Sequence, residues 1–575
     1  MSKLTLLFAV LAVTYVHGIS DNWWRDVILY QVYPRSFKDS DGDGIGDLIG
    51  ITTKLEHIKD IGADVVWLSP IYISPQADFG YDVTNFTDVN PEYGTLADFT
   101  KFITKAKYLG LRVILDFVPN HSSLQHPWFK QSVKKVKPYD SFYIWRDAKI
   151  VNGVREPPNN WLSAFTGSAW EWNEERGQYF LHQFLVDQPD LNYRNPFLNL
   201  AMKDALKFWL DRGVDGFRID AINFAFEDKL FRDDPNSNIS GIPKDDYDSL
   251  IHTYSRDQNE TYGLIANWRK FMDNYSKKYK IDSKLLLSEA YTTLSLTIKY
   301  YDAGANAFNF MFITPLNKTS SASDFKRTID EWLNNLPKHN VSNWVVGNHD
   351  QPRVASRYGV RRADMITMLA MILPGIAVVY NGDEIGMTNR NFTWEETVDI
   401  AGCNAGPERY HIKSRDPERI PFQWDNTTSA GFSTNKTTWL PVHENYITVN
   451  LAAQKEAKIS HYQVFKALST LKKKHPVLRN GTEEVILISE HVLGVVRRLE
   501  GSSPVSLLIN FSERDAVIDA ETNLNIPREL IVYVSSVDSN IDAGTQVDTS
   551  AMKLPGYASV MLASQSQVSE LLYYF

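Results

Sequence analysis

The sequence predicts an α/β protein: a (β/α)8 TIM barrel with a small irregular domain inserted after the third strand and an all-β domain at the C-terminal end. Three observations lead to this fold class. Eight short runs of β-favouring apolar residues alternate with helical patterns. The interval after the third run is too long for one loop and one helix. Beyond about residue 475, short strand patterns are separated by turns.

The eight predicted barrel strands follow one another with helices between them, which indicates right-handed crossovers and a parallel sheet. They span residues 27–33, 64–68, 111–117, 214–220, 285–289, 307–312, 344–347 and 376–380. Helical patterns at 48–61 and 96–109 connect the first three strands, and a helical segment near 457–473 follows the eighth. This alternation is typical of a closed barrel.

A chain of 575 residues is too long for one compact core, so several domains are expected. We assign 19–117 and 196–475 to the barrel and 118–195, which is rich in Trp, Pro, Asn and Tyr, to the inserted domain. The C-terminal β domain takes 476–575. Its strands are predicted at 485–488, 492–498, 505–510, 530–534 and 558–562.

Residues 1–18 have the features of a secretory signal peptide. Lys3 precedes an apolar run that ends near Gly18, so the mature chain is predicted to begin near Ile19. The run is shorter than the ~20 apolar residues that a transmembrane helix needs. No later stretch has a transmembrane pattern, and the apolar end at 570–575 is shorter than a lipid-anchor signal. We therefore expect a secreted protein without a membrane anchor.

Composition excludes some functions more clearly than it indicates one. The net charge of −9 is unfavourable for binding nucleic acid or an anionic membrane surface. The 15 Trp, 28 Tyr and 29 Phe side chains suit stacking on sugar rings, but they suit a large core equally well. Cys403 is the single cysteine, so stability rests on a core and not on disulfides. No thiol-activating sequence surrounds it, which disfavours a catalytic thiol.

Four aspartates occur at nearly every second position of the segment 39–47, with glycines between them. Such a loop brings several oxygen atoms to one point, which suits a hard cation, and Ca²⁺ suits many protein oxygens better than Mg²⁺ does. The distal glutamate of an EF-hand loop is missing. A solvated acidic turn is the alternative, although clustered like charges would repel one another.

The strand predicted at 214–220 ends in Arg218 and Asp220, which is unusual for a core element. Because the two residues are two positions apart, both side chains project to the same face. A neighbouring guanidinium keeps a carboxylate ionised, as a nucleophile requires. A structural ion pair at the strand end is the alternative.

Other predicted strands end in similar groups. Asp116 lies near the end of the third strand, Glu289 ends the fifth, and His349 and Asp350 follow the seventh. Groups drawn from several strand ends mark an active site on this fold. Because no serine or cysteine nucleophile is evident, carboxylates in separate roles fit glycoside hydrolysis, which uses one acid and one nucleophile.

Several motifs of this chain resemble those of the α-amylase superfamily of glycoside hydrolases and, within it, the secreted α-glucosidases of insects. They are DFVPNH at 116–121, QPDLN at 188–192, GFRID at 216–220, LSEA at 287–290, GNHD at 347–350 and YNGDEIGM at 380–387. The resemblance extends from about Trp23 into the C-terminal domain. Each motif alone is weak evidence, but their order along the chain is highly specific.

The resemblance implies a role for each of three carboxylates: Asp220 as nucleophile, Glu289 as general acid/base and Asp350 as the group that stabilises the transition state. Glu289 follows the apolar run 285–287, and burial there would raise its pKa as a general acid needs. The sugar-binding residues implied by the same comparison are Asp78, Tyr81, His121, Arg218, His349 and Arg415.

The acidic loop also has a counterpart among α-glucosidases, where it binds structural calcium. The resemblance implies that Ca²⁺ is held by the side chains of Asp39, Asp41, Asp43 and Asp47 and by the carbonyl of Ile45. No organic cofactor is implied, and the expected partners are small sugars.

Asn-X-Ser/Thr sequons are abundant, and several are predicted to carry glycans in a secreted chain. They begin at Asn85, Asn120, Asn238, Asn259, Asn274, Asn317, Asn340, Asn391, Asn426, Asn435, Asn480 and Asn510. Asn120 is excluded from this prediction because it belongs to the rim of the expected site, where a glycan would block the substrate.

The expected activity is that of a retaining, exo-acting α-glucosidase that removes terminal glucose from maltose, sucrose and short oligosaccharides by double displacement. Ala221, the residue after the nucleophile, resembles the small residue of α-1,4-cleaving members, so maltose is expected to be preferred to isomaltose. One alternative is transfer or isomerisation of glucose, which uses the same covalent intermediate. A non-catalytic, transporter-associated chain is the other, and it is disfavoured because all three carboxylates are present.

Overall fold

The computed structural model describes residues 20–572, and the predicted signal peptide at 1–18 lies outside them. Eight parallel strands form the predicted barrel, and the first pairs with both the second and the eighth. In chain order they are Ile28–Val32, Val65–Leu68, Arg112–Phe117, Gly216–Ile219, Leu285–Ser288, Asn306–Ala307, Asn343–Val345 and Ile376–Tyr380. The hydrogen-bonded order runs from the sixth strand down to the first, then to the eighth and seventh. The predicted fold class is confirmed.

A side chain joins the sixth and seventh strands. Asn343 donates from Nδ2 to the carbonyl oxygen of Ala307 (2.7 Å), and its Oδ1 accepts from the backbone amide of Asn309 (2.7 Å). The chain leaves the sheet beyond Ala307, so the strand predicted at 307–312 is correct only at its first residue. Phe310–Phe312 is instead a 3₁₀ turn that the side chain of Asn309 caps.

Helices between the strands form the outer layer. They are Leu48–Thr53 with Leu55–Asp60, Leu96–Tyr108, Pro196–Asp211, Glu260–Tyr279, Leu294–Asp302, Ala322–Asn335, Ala363–Ile372 and His461–Lys474. The helical pattern predicted at 48–61 is confirmed, but it forms two helices because the chain leaves helical geometry at Lys54 (φ −104°, ψ 5°). The hydroxyls of Thr52 and Thr53 donate to carbonyls of the first segment (2.6 Å each), which competes with regular helical bonding.

Apolar side chains fill the inside of the barrel, among them the fully buried Leu29 and Ile114. The fourth strand lies close to the fifth at Gly216, where a Cβ would lie 2.2 Å from the carbonyl oxygen of Leu285. Only glycine fits there. This close approach brings the ends of the two strands together, and those ends carry the charged residues.

Residues 118–195 leave the barrel after the third strand and contain small antiparallel sheets. Trp145–Arg146, Gln178–Leu181 and Trp170–Asn173 pair in that order, and Lys149–Val151 forms a hairpin with Val154–Glu156. A further pair, Tyr72–Ile73 with Asn85–Val89, lies after the second barrel strand. We propose 118–195 as the inserted domain, with 19–117 and 196–475 as the barrel and 476–575 as the C-terminal domain.

The chain ends in an antiparallel sheet. Its strands, in hydrogen-bonded order, are Thr482–Leu487, Val492–Arg498, Val505–Asn510, Ser559–Ala563, Glu529–Ser535 and Gln546–Asp548, beside a separate pair, Ala516–Ile518 with Met552–Leu554. The sheet packs on the barrel, where Arg497 donates to the carbonyl oxygen of Ile372 (2.6 Å) and Arg362 to that of Phe511 (2.6 Å). Three of these strands were not predicted, because each has only three residues: Gln546–Asp548 and the two strands of the separate pair.

Short α-helices occupy the connections and the C-terminal region. They are Pro34–Phe37, Pro127–Val133, Val354–Tyr358, Ile400–Ala405, Tyr410–Lys413, Asp416–Arg419, Leu451–Glu456, Pro476–Asn480, Ala520–Leu524 and Gln565–Leu572. Across residues 20–572, none of the helices combines the length and the apolar character that crossing a bilayer requires.

Candidate active site

The carboxyl ends of the barrel strands surround a cavity of about 320 Å³. Eight of the nine residues predicted to be catalytic or to bind sugar line it: Asp78, Tyr81, His121, Asp220, Glu289, His349, Asp350 and Arg415. The ninth, Arg218, is buried directly behind them. The structure therefore brings together residues that are spread over more than half of the sequence.

Arg218 contacts three carboxylates at once. Its Nη1 donates to Asp116 Oδ1 (2.8 Å) and to Asp220 Oδ1, and its Nη2 lies 3.5 Å from Glu289 Oε2. The strand itself ends at Ile219, one residue before Asp220. The ion pair expected from the sequence is present, and it belongs to a cluster inside the cavity wall rather than to an isolated strand end.

Two of the three carboxyls beside Arg218, those of Asp220 and Glu289, differ in proton affinity. Burial raises the pKa of Asp220 to about 6, although the guanidinium of Arg218 opposes the shift. Burial also raises the pKa of Glu289, to about 8, and the negative charges of Asp220 and Asp350 add to the effect. Because Arg218 donates directly to Asp220 but lies 3.5 Å from Glu289, Asp220 is the more readily ionised carboxyl and Glu289 the more readily protonated one. This is the division of roles that a nucleophile and a general acid require.

Asp350 is held in the ionised form. Burial favours its neutral form, but the guanidinium groups of Arg419 and Arg415 and the nearby N–H of His349 (3.5 Å from Oδ2) outweigh burial and hold the pKa of Asp350 well below its ordinary value. Arg419 Nη2 donates to Asp350 Oδ1 (2.9 Å), and Arg415 Nη1 lies 3.5 Å from the same oxygen. A fixed negative charge therefore faces the cavity.

A chain of hydrogen bonds orients His349. Gln31 Nε2 donates to His349 Nδ1 (2.8 Å), so the ring carries its proton on Nε2, which donates to the hydroxyl of Tyr81 (2.7 Å). That hydroxyl donates to Asp116 Oδ2 (3.1 Å). Burial keeps the pKa of His349 well below its ordinary value, so the ring is neutral. The chain fixes the neutral side chains of His349 and Tyr81 in the wall of the cavity.

One end of the cavity is closed by Arg415. Its Nη2 donates to Asp78 Oδ1 (2.9 Å) and to Asp399 Oδ1 (2.7 Å), and Gln188 Nε2 donates to Asp78 Oδ2 (3.0 Å). Burial raises the pKa of Asp78, which Arg415 opposes. These groups form a polar floor, and both carboxylates that Arg415 joins are buried.

Aromatic rings form another part of the wall, which adjoins the Arg415 guanidinium at Phe165 (4.9 Å). Phe184 packs on Phe165 and Phe224, with ring centroids 5.7 and 4.9 Å away, and on the ring of His121 (5.3 Å). His121 Nε2 donates to the carbonyl oxygen of Tyr81 (3.0 Å), and burial lowers the pKa of His121 to about 3. A neutral imidazole beside an apolar wall suits the hydroxyls and the C–H face of a sugar.

Sequence reasoning missed several residues of this site. Asp399 and Arg419 lie in the long connection after the eighth strand, far from any strand end, and Gln31 lies inside the first strand. Gln188 belongs to a recognised motif but was not assigned to the site. The concentration of opposite charges at 415–419 was the available signal for Arg419, because buried ion pairs need such partners.

The acidic loop is organised separately from the cavity. Carboxylate oxygens of Asp39, Asp41 and Asp43 lie within 4.8 Å of one another, close enough to share one cation. The predicted fourth side chain, Asp47, is not in this group among the described residues. It caps the helix Leu48–Thr53 by accepting from the Gly50 amide (2.7 Å).

Comparisons with known proteins place the chain in one family. The profile of the alpha-amylase catalytic domain matches residues 31–481. The chain is 46% identical to the alpha-glucosidase of Apis mellifera, over 96% of this chain and 97% of that one. It is 47% identical to maltase 1 of Drosophila virilis, over 94% and 87%.

A solved structure agrees with these matches. The crystal structure of the alpha-glucosyl transfer enzyme XgtA has a TM-score of 0.81 and 34% identity, covering 94% of this chain and 99% of that one. The resemblance drawn from the motifs is confirmed, and the chain belongs to the alpha-amylase family of glycoside hydrolases.

Proposed function

We propose that this protein is a retaining, exo-acting α-glucosidase that releases terminal glucose from maltose, sucrose and short oligosaccharides. The observation that carries the proposal is the pair Asp220 and Glu289. Both contact one guanidinium, but Arg218 donates directly to Asp220 and lies 3.5 Å from Glu289, whose pKa burial and the charges of Asp220 and Asp350 raise. Retaining glycosidases need one ionised and one protonated carboxyl.

In the first step, a carboxylate oxygen of Asp220 attacks the anomeric carbon while Glu289 protonates the glycosidic oxygen of the leaving sugar. A glucosyl ester on Asp220 results. In the second step, Glu289 takes a proton from water, whose oxygen attacks the anomeric carbon and releases Asp220. The fixed charge of Asp350 stabilises the positive charge that develops on the sugar in both transition states.

The exo mode of action follows from the closed end of the cavity. Arg415 joins Asp78 and Asp399 there, so a sugar chain cannot continue beyond the glucose that occupies this end. The carboxylate of Asp78 and the guanidinium of Arg415 would bind the terminal hydroxyls of that glucose.

A trapping experiment tests this proposal. A 5-fluoro-α-glucosyl fluoride slows both steps, and we expect mass spectrometry of the digested protein to find the fluoroglucosyl group on Asp220. Proton NMR of 4-nitrophenyl α-glucoside hydrolysis, in which the only glucose released comes from the cleaved bond, should show α-glucose as the first product. The carboxyls of Asp220 and Glu289 should lie ~5–5.5 Å apart. Initial release of β-glucose would contradict the retaining mechanism.

Linkage preference is a finer part of the proposal. Ala221 lies in the cavity wall directly after the nucleophile, and its side chain is small. We expect kcat/KM for maltose to exceed that for isomaltose, and the reverse ranking in a rate assay would refute this assignment.

Glucosyl transfer is a second candidate activity. The XgtA structure is described as that of an alpha-glucosyl transfer enzyme. Because this chain is similar to it, glucosyl transfer is a reasonable second activity to test. A glucosyl ester on Asp220 can react with a sugar hydroxyl as well as with water. Product analysis at low and high maltose concentration separates the two, because transfer produces trisaccharides at high concentration.

We also propose that the acidic loop holds a structural Ca²⁺ through Asp39, Asp41, Asp43 and the carbonyl of Ile45. Hard carboxylate oxygens close together are the donor set that Ca²⁺ prefers. The ion would neutralise the repulsion between these side chains. Asp47, the other ligand expected from the sequence, would contribute by fixing the end of the loop as a helix cap.

Secretion and glycosylation complete the proposal. The exposed sequon asparagines that glycans would modify are Asn238, Asn259, Asn274, Asn317, Asn340, Asn391, Asn426 and Asn480. Asn120 and Asn510 are each 1% exposed, and their amides donate to protein oxygens. We expect these two to stay unmodified. A signal peptide at 1–18, no membrane anchor and no nucleic-acid partner remain our expectations.

A further inference from the structure

The residue that follows the nucleophile has an unusual backbone. Ala221 lies at φ 43° and ψ 35°, in the left-handed region that alanine rarely adopts. Its side chain is only 6% exposed. Left-handed residues other than glycine persist where surrounding contacts hold them, and they concentrate at functional sites.

This backbone turn connects the nucleophile to the general acid. The amide of Ala221 donates to Glu289 Oε2 over 2.6 Å. The amide of Ile222 donates to the carbonyl oxygen of Glu289 (3.2 Å), and the amide of Glu289 donates to the carbonyl oxygen of Ile219 (2.9 Å). The ends of the fourth and fifth strands are thus joined through both the backbone and the carboxyl group of Glu289.

The two oxygens of the Glu289 carboxyl have different surroundings. Oε2 accepts from the Ala221 amide and also lies 3.5 Å from Arg218 Nη2. Among residues 20–572, no protein group donates to Oε1. A carboxyl oxygen that already faces two N–H donors does not readily carry the proton of the carboxyl group. That proton would point at the hydrogens of the two donors and be repelled by them.

We propose that the backbone amide of Ala221 is a positioning group for acid catalysis: it assigns the transferable proton of Glu289 to Oε1 and steadies the carboxylate that remains after transfer. This inference rests on the proposed function of Asp220 and Glu289. The proton on Oε1 passes to the glycosidic oxygen as its bond to the anomeric carbon breaks, and the electron pair of that bond stays on the leaving oxygen. Asp220 forms the new bond, and water later returns the proton to Glu289.

An amide-to-ester substitution tests this directly. Replacing Ala221 by the corresponding α-hydroxy acid removes the N–H and leaves the side chain and chain length unchanged. We expect kcat/KM for maltose to fall about tenfold, because a hydrogen bond to a charged group is lost. For 4-nitrophenyl α-glucoside, whose leaving group needs little protonation, kcat/KM should change by less than about twofold.

The pH dependence of kcat/KM gives a second test, because it would not change if the Ala221 amide had only a structural role. The amide donor stabilises the ionised form of Glu289, so its removal should raise the pKa of that carboxyl. The high-pH limb of kcat/KM for maltose should therefore shift to higher pH in the ester variant. The inhibition constant of glucose, measured in parallel, reports whether the sugar pocket remains intact.

Two ordinary substitutions separate backbone from side chain. Ala221→Gly keeps the N–H and tolerates positive φ, so the ratio of kcat/KM between the two substrates should stay at the wild-type value. Ala221→Val also keeps the N–H, but a β-branched residue is strained at this φ, and we expect the ratio to move in the direction of the ester variant.

An ester variant with the wild-type substrate ratio and the wild-type high-pH limb would overturn the inference. So would an Ala221→Val protein that changes only the preference between maltose and isomaltose, because that result assigns the position a side-chain role alone. If the wild-type protein hydrolyses neither maltose nor 4-nitrophenyl α-glucoside, the proposed function fails instead. The two failures are therefore distinguishable.

Discussion

Two groups of carboxylates in this protein have different partners for their negative charge. Those at the strand ends, such as Asp220 and Asp350, lie beside arginines inside a cavity wall. Those of the acidic loop accept mainly from backbone amides: Asp39 accepts from Gly42 (2.7 Å) and Gly44 (2.9 Å). Among the described residues, no lysine or arginine forms an ion pair with Asp39, Asp41 or Asp43.

The difference explains how similar side chains acquire different tasks. At the strand ends, burial and arginines act to different extents on each carboxyl, so one is ionised and another protonated at the same pH. In the loop, amide donors orient the carboxylates without cancelling their charge. The first arrangement suits proton transfer and nucleophilic attack. The second suits a shared cation.

The largest effect is expected at Asp220. Asp220→Asn removes the nucleophile but keeps the size of the side chain, so kcat for maltose should fall by at least about 10⁴-fold. The same change in the loop, Asp43→Asn, should lower kcat by less than about threefold, because its charge is exposed and screened by solvent. Steady-state kinetics with both variants checks the contrast.

Thermal unfolding of both variants is the control, since a folded Asp220→Asn protein is needed to interpret its loss of activity. Full activity of the Asp220→Asn protein would contradict the assignment of Asp220 as the nucleophile. A loss at Asp43→Asn as large as that at Asp220→Asn would remove the distinction between the two groups.

The second effect concerns the buried ion pairs at the closed end of the cavity. Arg415→Ala leaves Asp78 and Asp399 without their shared cation, and we expect kcat/KM for maltose to fall about 10²–10³-fold. Arg415→Lys is the matched control, because it keeps the charge but loses the fork that reaches both carboxylates. Kinetics in which the lysine variant equals wild type would show that charge alone suffices.

The barrel could be predicted from the sequence because each strand carries a local apolar pattern and each strand end a recognisable motif. The catalytic carboxyls and most sugar contacts follow from that prediction, since parallel strands deliver their carboxyl ends to one rim. The short sixth strand could not be predicted correctly. Its end at Ala307 depends on the side chain of Asn343, which is distant in sequence.

The missed residues of the site show the same limit. Asp399 and Arg419 contact Arg415 and Asp350 from a long connection whose path no local pattern determines. The use of Asp47 as a helix cap was foreseeable in principle, because an aspartate directly before a helix commonly accepts from its first amides. The sequence showed the carboxylate of Asp47 but not whether it binds a cation or caps the following helix.

The third expected effect is the pH profile of the wild-type protein. Asp220 must be ionised, so kcat/KM for maltose should fall about tenfold per unit as pH drops below about 6. Glu289 must be protonated, so kcat/KM for maltose should fall similarly as pH rises above about 8. A bell-shaped curve with its maximum near neutrality is the expected result. Asp43→Asn should leave both limbs in place, and a shifted limb in that variant would link the loop to the active-site titration.

The smallest effect is expected from calcium. Removing Ca²⁺ with a chelator should lower the melting temperature by about 2–5 °C, because the folded loop binds the ion and the unfolded chain does not. The loop is docked on the segment that contains Trp439, whose amide donates to the carbonyl oxygen of Gly44 (3.1 Å), so loosening it costs stability. Asp41→Asn should lower the melting temperature similarly and abolish its response to Ca²⁺. A wild-type melting temperature that is the same with Ca²⁺ and with chelator, measured by differential scanning fluorimetry, would show that the amides alone satisfy these carboxylates and that the loop needs no cation.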